Sequence, residues 1–199
     1  ELFESIIAQK PDYVILKHAP GRVVRACIIY NKRFELLSSK GGKINQDGRL
    51  WVCGYFRDTV TGNSLYVIST HWPHRLSLEE YKRYIKDIFT ECNINGVDNY
   101  ILMGDFNDYN NLLEPSNMYL ATVDYKVKVM NQKKHTCCTG VNLEDKYLMS
   151  VNMDKILYND SRLIEKKSEH YYDLDKQILS EDDQMMSDHL PVAGVFKYI

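Results

Sequence analysis

Long apolar runs are missing from this chain. No stretch approaches the ~20 consecutive apolar residues that a membrane-spanning helix requires, so no membrane span is expected. Nor does the chain open with a basic segment followed by an apolar one, so no signal peptide is expected. An excess of charge of one sign is also missing. The 25 Lys and Arg against 27 Asp and Glu leave a formal net charge of −2. That argues against a protein that merely coats nucleic acid, but not against an enzyme that grips phosphate locally. Cysteine is scarce: Cys27, Cys53, Cys92, Cys137 and Cys138 are odd in number and irregular in spacing. The adjacent pair Cys137-Cys138 lacks the spacing of a zinc knuckle. Reduced thiols in an intracellular compartment, cytoplasmic or nuclear, are the expectation. There is no internal repeat, low-complexity tract or linker, and 199 residues suit a single domain spanning 1–199.

What is present is a dense series of short apolar segments. Apolar residues make up 44% of the chain, enough for a substantial core. Leu2, Phe3, Ile6 and Ile7 recur at helical spacing, and Pro11 ends that segment. Tyr13–Leu16 and Ala26–Tyr30 read as strands, with Phe34–Leu37 continuing the second. Trp51–Phe56 and Leu65–Thr70 are rich in strand-forming residues, and Gly62-Asn63 between them predicts a hairpin with a longer loop. The spacing of Leu78, Tyr81, Ile85, Ile88 and Phe89 predicts a helix over 77–91, opened by a capping box from Ser77 to Glu80. Tyr100–Met103 is a continuous apolar run, as in a strand covered on both sides. A polar loop runs from Asp108 to about Asn117. Ile156–Tyr158 predicts a strand, the charged stretch 163–186 an exposed loop, and Leu190–Tyr198 a closing strand with Pro191 near its start. Hairpins alternating with helical segments favour an α+β layered domain over a purely parallel sheet.

Several polar residues stand at the ends of these segments. Asp105 and Asn107 follow a strand directly. In extended backbone, positions i and i+2 face the same way, and Gly104 allows a close backbone approach to a ligand. A carboxylate and an amide so placed can hold a water beside a phosphate oxygen; the same residues also fit an Asx turn. Asp188 and His189 precede the last strand. The aspartate suits a hard cation such as magnesium, and the histidine can exchange a proton or stabilise charge; a solvated loop pair reads equally well. His71 ends a strand and can reach a phosphate, or serve structure alone. Arg75 can pair with phosphate or stay solvated. Asp154 can orient a histidine tautomer or simply start a strand.

The order of the segments Arg25-Ala-Cys-Ile-Ile-Tyr-Asn-Lys-Arg-Phe34, Val67-Ile-Ser-Thr-His-Trp72, Ile101-Leu-Met-Gly-Asp-Phe-Asn107, Asn152-Met-Asp-Lys-Ile-Leu157 and Ser187-Asp-His-Leu-Pro-Val192 resembles the endonuclease/exonuclease/phosphatase superfamily, the DNase I-like fold. The resemblance covers essentially the whole chain. It implies a two-sheet α/β sandwich flanked by helices. It further implies that Asp105 and Asn107 position the nucleophilic water and the phosphate. His189, oriented by Asp154, contacts the scissile phosphate, Asp188 assists metal binding, and His71 contacts the phosphate or the leaving group. The implied cofactor is Mg2+, with Mn2+ as the alternative.

Two departures qualify the resemblance. The family usually opens with a strand and a helix before a second strand ending in a metal-binding glutamate. In one register Tyr13–His18 is that second strand and His18 replaces the glutamate. Only seven residues then separate His18 from Ala26, too few for the helix and strand expected there. In the other, better-fitting register Glu1 is the glutamate, and the domain is expected to be amino-terminally truncated. The second departure concerns subtype: Leu102-Met103 and Met153-Asp154-Lys155 lack the signatures of inositol polyphosphate phosphatases. The expectation is a metal-dependent phosphodiesterase, a hydrolase acting on nucleic acid and monomeric. The alternatives are a lipid or inositol phosphate phosphoesterase and an inactive binding domain of the same fold; aromatic side chains near the site, Trp72 and Tyr109, suit either a base or an apolar group.

Overall fold

In the computed structural model of the chain, residues 8–17, 26–44, 48–113, 127–130, 153–170, 189 and 192–199 are described. Their elements run β1 (Tyr13–Lys17), β2 (Cys27–Asn31), β3 (Phe34–Lys43), β4 (Leu50–Asp58), β5 (Ser64–His71), α1 (Leu78–Cys92), β6 (Tyr100–Asp105), β7 (Val127–Val129), β8 (Asp154–Asn159), β9 (Leu163–His170) and β10 (Val192–Tyr198). Six strands form a central sheet in the order β3-β4-β5-β6-β8-β7. Within it β5 and β6 are parallel and the other pairs antiparallel. Parallel neighbours need a crossover, and α1 supplies it.

Period-two alternation sorts the central strands onto two faces. Trp51 and Cys53 of β4, Ile68 of β5, Leu102 of β6 and Leu157 of β8 pack with α1. The alternate residues Val52, Phe56, Ile101, Met103, Ile156 and Tyr158 line the opposite face. There Ala26, Ile28 and Leu16 of the β1–β2 region pack against Val52 and Phe56. Val192, Phe196 and Tyr198 of β10 pack against Ile156 and Tyr158. Among the described residues the second sheet of the expected sandwich therefore consists of two separate antiparallel pairs, β1–β2 and β9–β10.

The helix forms where the sequence predicts it. Ser77 accepts from the Glu80 amide, and the Glu80 carboxylate accepts the Ser77 N–H at 2.8 Å, closing the capping box. Tyr81, Ile85, Ile88, Phe89 and Cys92 are buried, each worth roughly 1.5–3 kcal/mol for a large apolar side chain. Asn93 stops the helix in the left-handed conformation, φ 59°.

Two expectations fail. Phe34–Leu37 does not continue β2. A turn at Lys32-Arg33, with Arg33 N–H donating to Asn31 Oδ1 at 2.9 Å, sends β3 to the edge of the central sheet. Arg33 then holds Asp58 by two hydrogen bonds of 2.8 and 2.6 Å. The Arg33 guanidinium keeps the Asp58 carboxyl well below the usual carboxylate range. Residues 163–170 are not a loop but strand β9, paired with β10. Its charges mislead because backbone pairing sets the strand and Leu163 alone of residues 163–166 is buried. The expected helix before Pro11 and loop 171–186 lie outside the described residues.

Candidate active site

Three neighbouring strands bring three of the candidate residues into one row. His71 is the last residue of β5, Asp105 the last of β6 and Asp154 the first of β8. His71 is in register with Asp105, and Asp105 with Asp154. His71 Nε2 lies 3.3 Å from Asp105 Oδ2, and His189 Nδ1 lies 2.7 Å from Asp154 Oδ2. All four side chains are between a fifth and a third exposed, open enough for a ligand.

The loops beyond these strand ends are stitched together by backbone. Trp72 N–H donates to Asp105 O at 2.9 Å, and Phe106 N–H donates to Met153 O at 2.8 Å. Tyr81 Oη donates to Phe106 O at 2.6 Å. Burial, then the charges of Asp108 and Asp105, push the Tyr81 hydroxyl up, so it remains a donor. Trp72 stacks on Phe106 with centroids 5.1 Å apart.

The chain beyond Asp105 is not extended. Asn107 has φ 50°, and its N–H donates to Asp105 Oδ1 at 2.8 Å. This is the Asx turn that competes with the extended reading of the same residues. It brings Asn107 under the β5–α1 loop, where Nδ2 donates to Trp72 O at 2.7 Å. Gly104 also serves a different end from ligand approach. Its φ is +143°, and a Cβ there would lie 1.9 Å from Thr70 O. The close neighbour is the backbone of β5.

Electrostatics favour an ionised Asp105. Burial, the largest single influence, raises its pKa. Hydrogen bonds from His71 and the Asn107 N–H, with the charges of His189 and His71, outweigh burial together and hold it below the ordinary carboxylate value. An ionised Asp154 accepts but cannot donate, so it fixes a hydrogen on His189 Nδ1 and leaves Nε2 as the other ring nitrogen.

No protein-family model and no curated protein matches the chain. Solved structures do. An endonuclease/exonuclease/phosphatase from Bacteroides vulgatus is similar over 99% of this chain and 80% of its own, with TM-score 0.68 and 18% identity. TDP2 from D. rerio, solved with a single strand DNA product, is similar over 98% of this chain and 81% of its own, with TM-score 0.70 and 13% identity. A mannosyl-6-phosphatase from Bacteroides thetaiotaomicron is similar over 98% and 80%, with TM-score 0.66 and 15% identity. The fold is that of the endonuclease/exonuclease/phosphatase superfamily.

On this endonuclease/exonuclease/phosphatase fold the row lies at the carboxyl ends of the parallel strands, where open α/β sheets place ligand sites. Arg75 lies beyond it, exposed, three residues after Trp72. Glu1, Asp188 and His18 lie outside the described residues. Among the described residues no group of three or more His, Cys, Asp or Glu could hold a metal ion. The carboxylates of the row are already hydrogen-bonded to histidines or amide. The described donors alone therefore do not make a magnesium shell, and the expected ligands are Glu1 and Asp188.

Three further residues shape this site without an obvious sequence signal. Arg49 Nη1 lies 2.9 Å from His71 Nδ1 and also contacts Nε2, while Nη2 lies 2.8 Å from His74 Nε2. Asp108 and Lys155, 1% and 2% exposed, form a buried pair at 3.6 Å. Asp108 also accepts the N–H groups of Leu112 and Leu113 at 2.8 and 2.9 Å, fixing the loop after Asn107. Lys155→Met should therefore destabilise the fold by about 3 kcal/mol, because it leaves the buried Asp108 carboxylate without its counter-charge. Chemical denaturation of Lys155→Met, Asp108→Leu and the double variant checks this. The double variant should be more stable than the sum of the single losses; strict additivity would remove the coupling.

Proposed function

We propose that the protein is a phosphodiesterase hydrolysing phosphodiester bonds in nucleic acid. The observation that carries this reading is the row His71–Asp105–Asp154, with His189 hydrogen-bonded to Asp154, on an endonuclease/exonuclease/phosphatase fold. The DNA product bound to D. rerio TDP2 supports nucleic acid as the substrate.

In the proposed chemistry Asp105 orients a water for in-line attack on phosphorus, and its depressed pKa keeps it ionised at neutral pH. His189, as the imidazolium that the Asp154 carboxylate supports, donates its Nε2–H to a phosphate oxygen while Asp154 accepts from Nδ1–H. His71, braced by Arg49, faces the developing charge on the far side. Asn107 positions the phosphate with the amide hydrogen left over from its bond to Trp72 O. Magnesium, held by Glu1 and Asp188, would polarise the phosphate when bound.

Hydrolysis by the full-length protein, with magnesium or with EDTA, should be measured on a single-stranded oligonucleotide, bis-p-nitrophenyl phosphate and a sugar phosphomonoester. The expected result is cleavage of the two diesters, lost in EDTA. Cleavage of the phosphomonoester alone would instead favour the activity named for the mannosyl-6-phosphatase. No turnover of any substrate would favour the binding domain.

A further inference from the structure

A cavity of about 820 Å³ opens beside the row and is lined by Asn107, whose N–H donates to Asp105 of the row. That is within the size range of pockets that enclose small ligands, roughly 300–1,000 Å³, and far more than one phosphate group fills. His74, Arg75 and Tyr109 line it, and the chemistry described above uses none of the three.

His74 and Tyr109 form one wall. Their rings stand 6.0 Å apart at 37°, and Tyr109 is 46% exposed. Hydrogen bonding orders the polar edge of this wall. Arg49 can only donate, so His74 Nε2, 2.8 Å away, accepts from it. A neutral His74 then carries its hydrogen on Nδ1, which faces Tyr109 Oη at 3.4 Å. The Tyr109 oxygen thus serves as acceptor to His74, and its own hydroxyl hydrogen remains to be donated. Arg49 spans both histidines, so this wall is joined to the reacting row through His71.

Arg75 supplies the second feature. Its φ of 59° is left-handed, a conformation that side-chain-bearing residues seldom adopt. Among the described residues it has no hydrogen-bond or ion-pair partner, although it lines the cavity. A strained backbone that presents an uncompensated cation to a cavity suits an anionic ligand.

We infer that His74, Arg75 and Tyr109 form a subsite for the nucleotide unit next to the cleaved phosphate, its base stacked on the Tyr109–His74 wall and its second phosphate paired with Arg75. The inference rests on the phosphodiesterase reading for what occupies the neighbouring row. Stacking on an aromatic side chain is worth about 1–3 kcal/mol per base, which is roughly 5- to 150-fold in affinity.

The test is equilibrium binding by calorimetry to the full-length protein, with adenosine 3′,5′-bisphosphate, adenosine 5′-monophosphate and ribose 5-phosphate as probes. Wild type should bind the bisphosphate tightest and ribose 5-phosphate weakest, by at least about tenfold overall. Tyr109→Ala should abolish the preference for the adenine-bearing probes. Arg75→Gly should abolish the preference for the second phosphate, while glycine at a positive φ leaves the melting temperature unchanged or higher. Equal binding of all three probes by wild type, or unchanged preferences in both variants, would overturn the subsite. Bis-p-nitrophenyl phosphate hydrolysis reports the phosphodiesterase reading separately. Turnover without probe preference sinks the subsite alone, and probe preference without turnover supports the subsite and sinks the phosphodiesterase reading.

Discussion

Asp154→Asn should lower phosphodiester turnover by about 10²–10⁴-fold with the fold intact. Asp154 opens β8 directly across from Asp105, and its Oδ2 lies 2.7 Å from His189 Nδ1. A carboxylate can only accept, so it dictates which ring nitrogen carries the hydrogen. An asparagine amide can either accept from or donate to Nδ1, so it no longer dictates the hydrogen-bonding state of the ring. It also removes the negative charge that supports an imidazolium. His189→Ala should cost a similar factor, and the double variant little more, because the two residues act as one unit. Matched circular dichroism spectra and kcat values check this. An Asp154→Asn variant with near wild-type kcat would show that His189 needs no orienting partner.

Gly104→Ala should be the most damaging of the small substitutions, costing about 3 kcal/mol or more of stability. The added carbon would lie 1.9 Å from Thr70 O and 2.9 Å from Thr70 C. Both atoms are backbone, so no side chain can swing away and relieve the overlap. Strands β5 and β6 would have to separate at the point where His71 and Asp105 face each other. Activity should therefore fall further than unfolding alone explains. Urea unfolding gives the stability loss, and kcat measured well below the midpoint gives the rest. A loss under about 1 kcal/mol would mean that the strands can part there at little cost.

What could be read from the sequence was whatever local chemistry decides. The Ser77–Glu80 capping box and the five-residue apolar face specify α1 without help from the rest of the chain. The strand-forming residues of 51–56 and 65–70, with turn residues between, specify the β4–β5 hairpin. Strand β9 was hidden because its charged side chains read as a loop while its partner β10 lies more than twenty residues away in sequence. The separation of β3 from β2 depends on Arg33 reaching Asp58, a contact across 25 residues.

The site divides along the same line. Asp105, Asn107, Asp154, His189 and His71 stand out because each sits at the end of a recognisable strand, and the structure brings all five together. The turn at Asn107 was one of two local readings, and the bond from its side chain to Trp72 O accompanies the left-handed backbone. Arg49 carries no local mark, since its role comes from two histidines more than twenty residues away. Lys155 reads as one lysine in an apolar strand until Asp108 is found beside it.

The central claim is that Asp105 directs water at a phosphodiester bound over the row. The measurement that meets it most directly compares wild-type full-length protein with Asp105→Ala on bis-p-nitrophenyl phosphate in magnesium, with folding matched by circular dichroism. The account predicts steady hydrolysis by wild type and a loss of at least about 10²-fold in kcat for the variant. Equal turnover by the two proteins would contradict it.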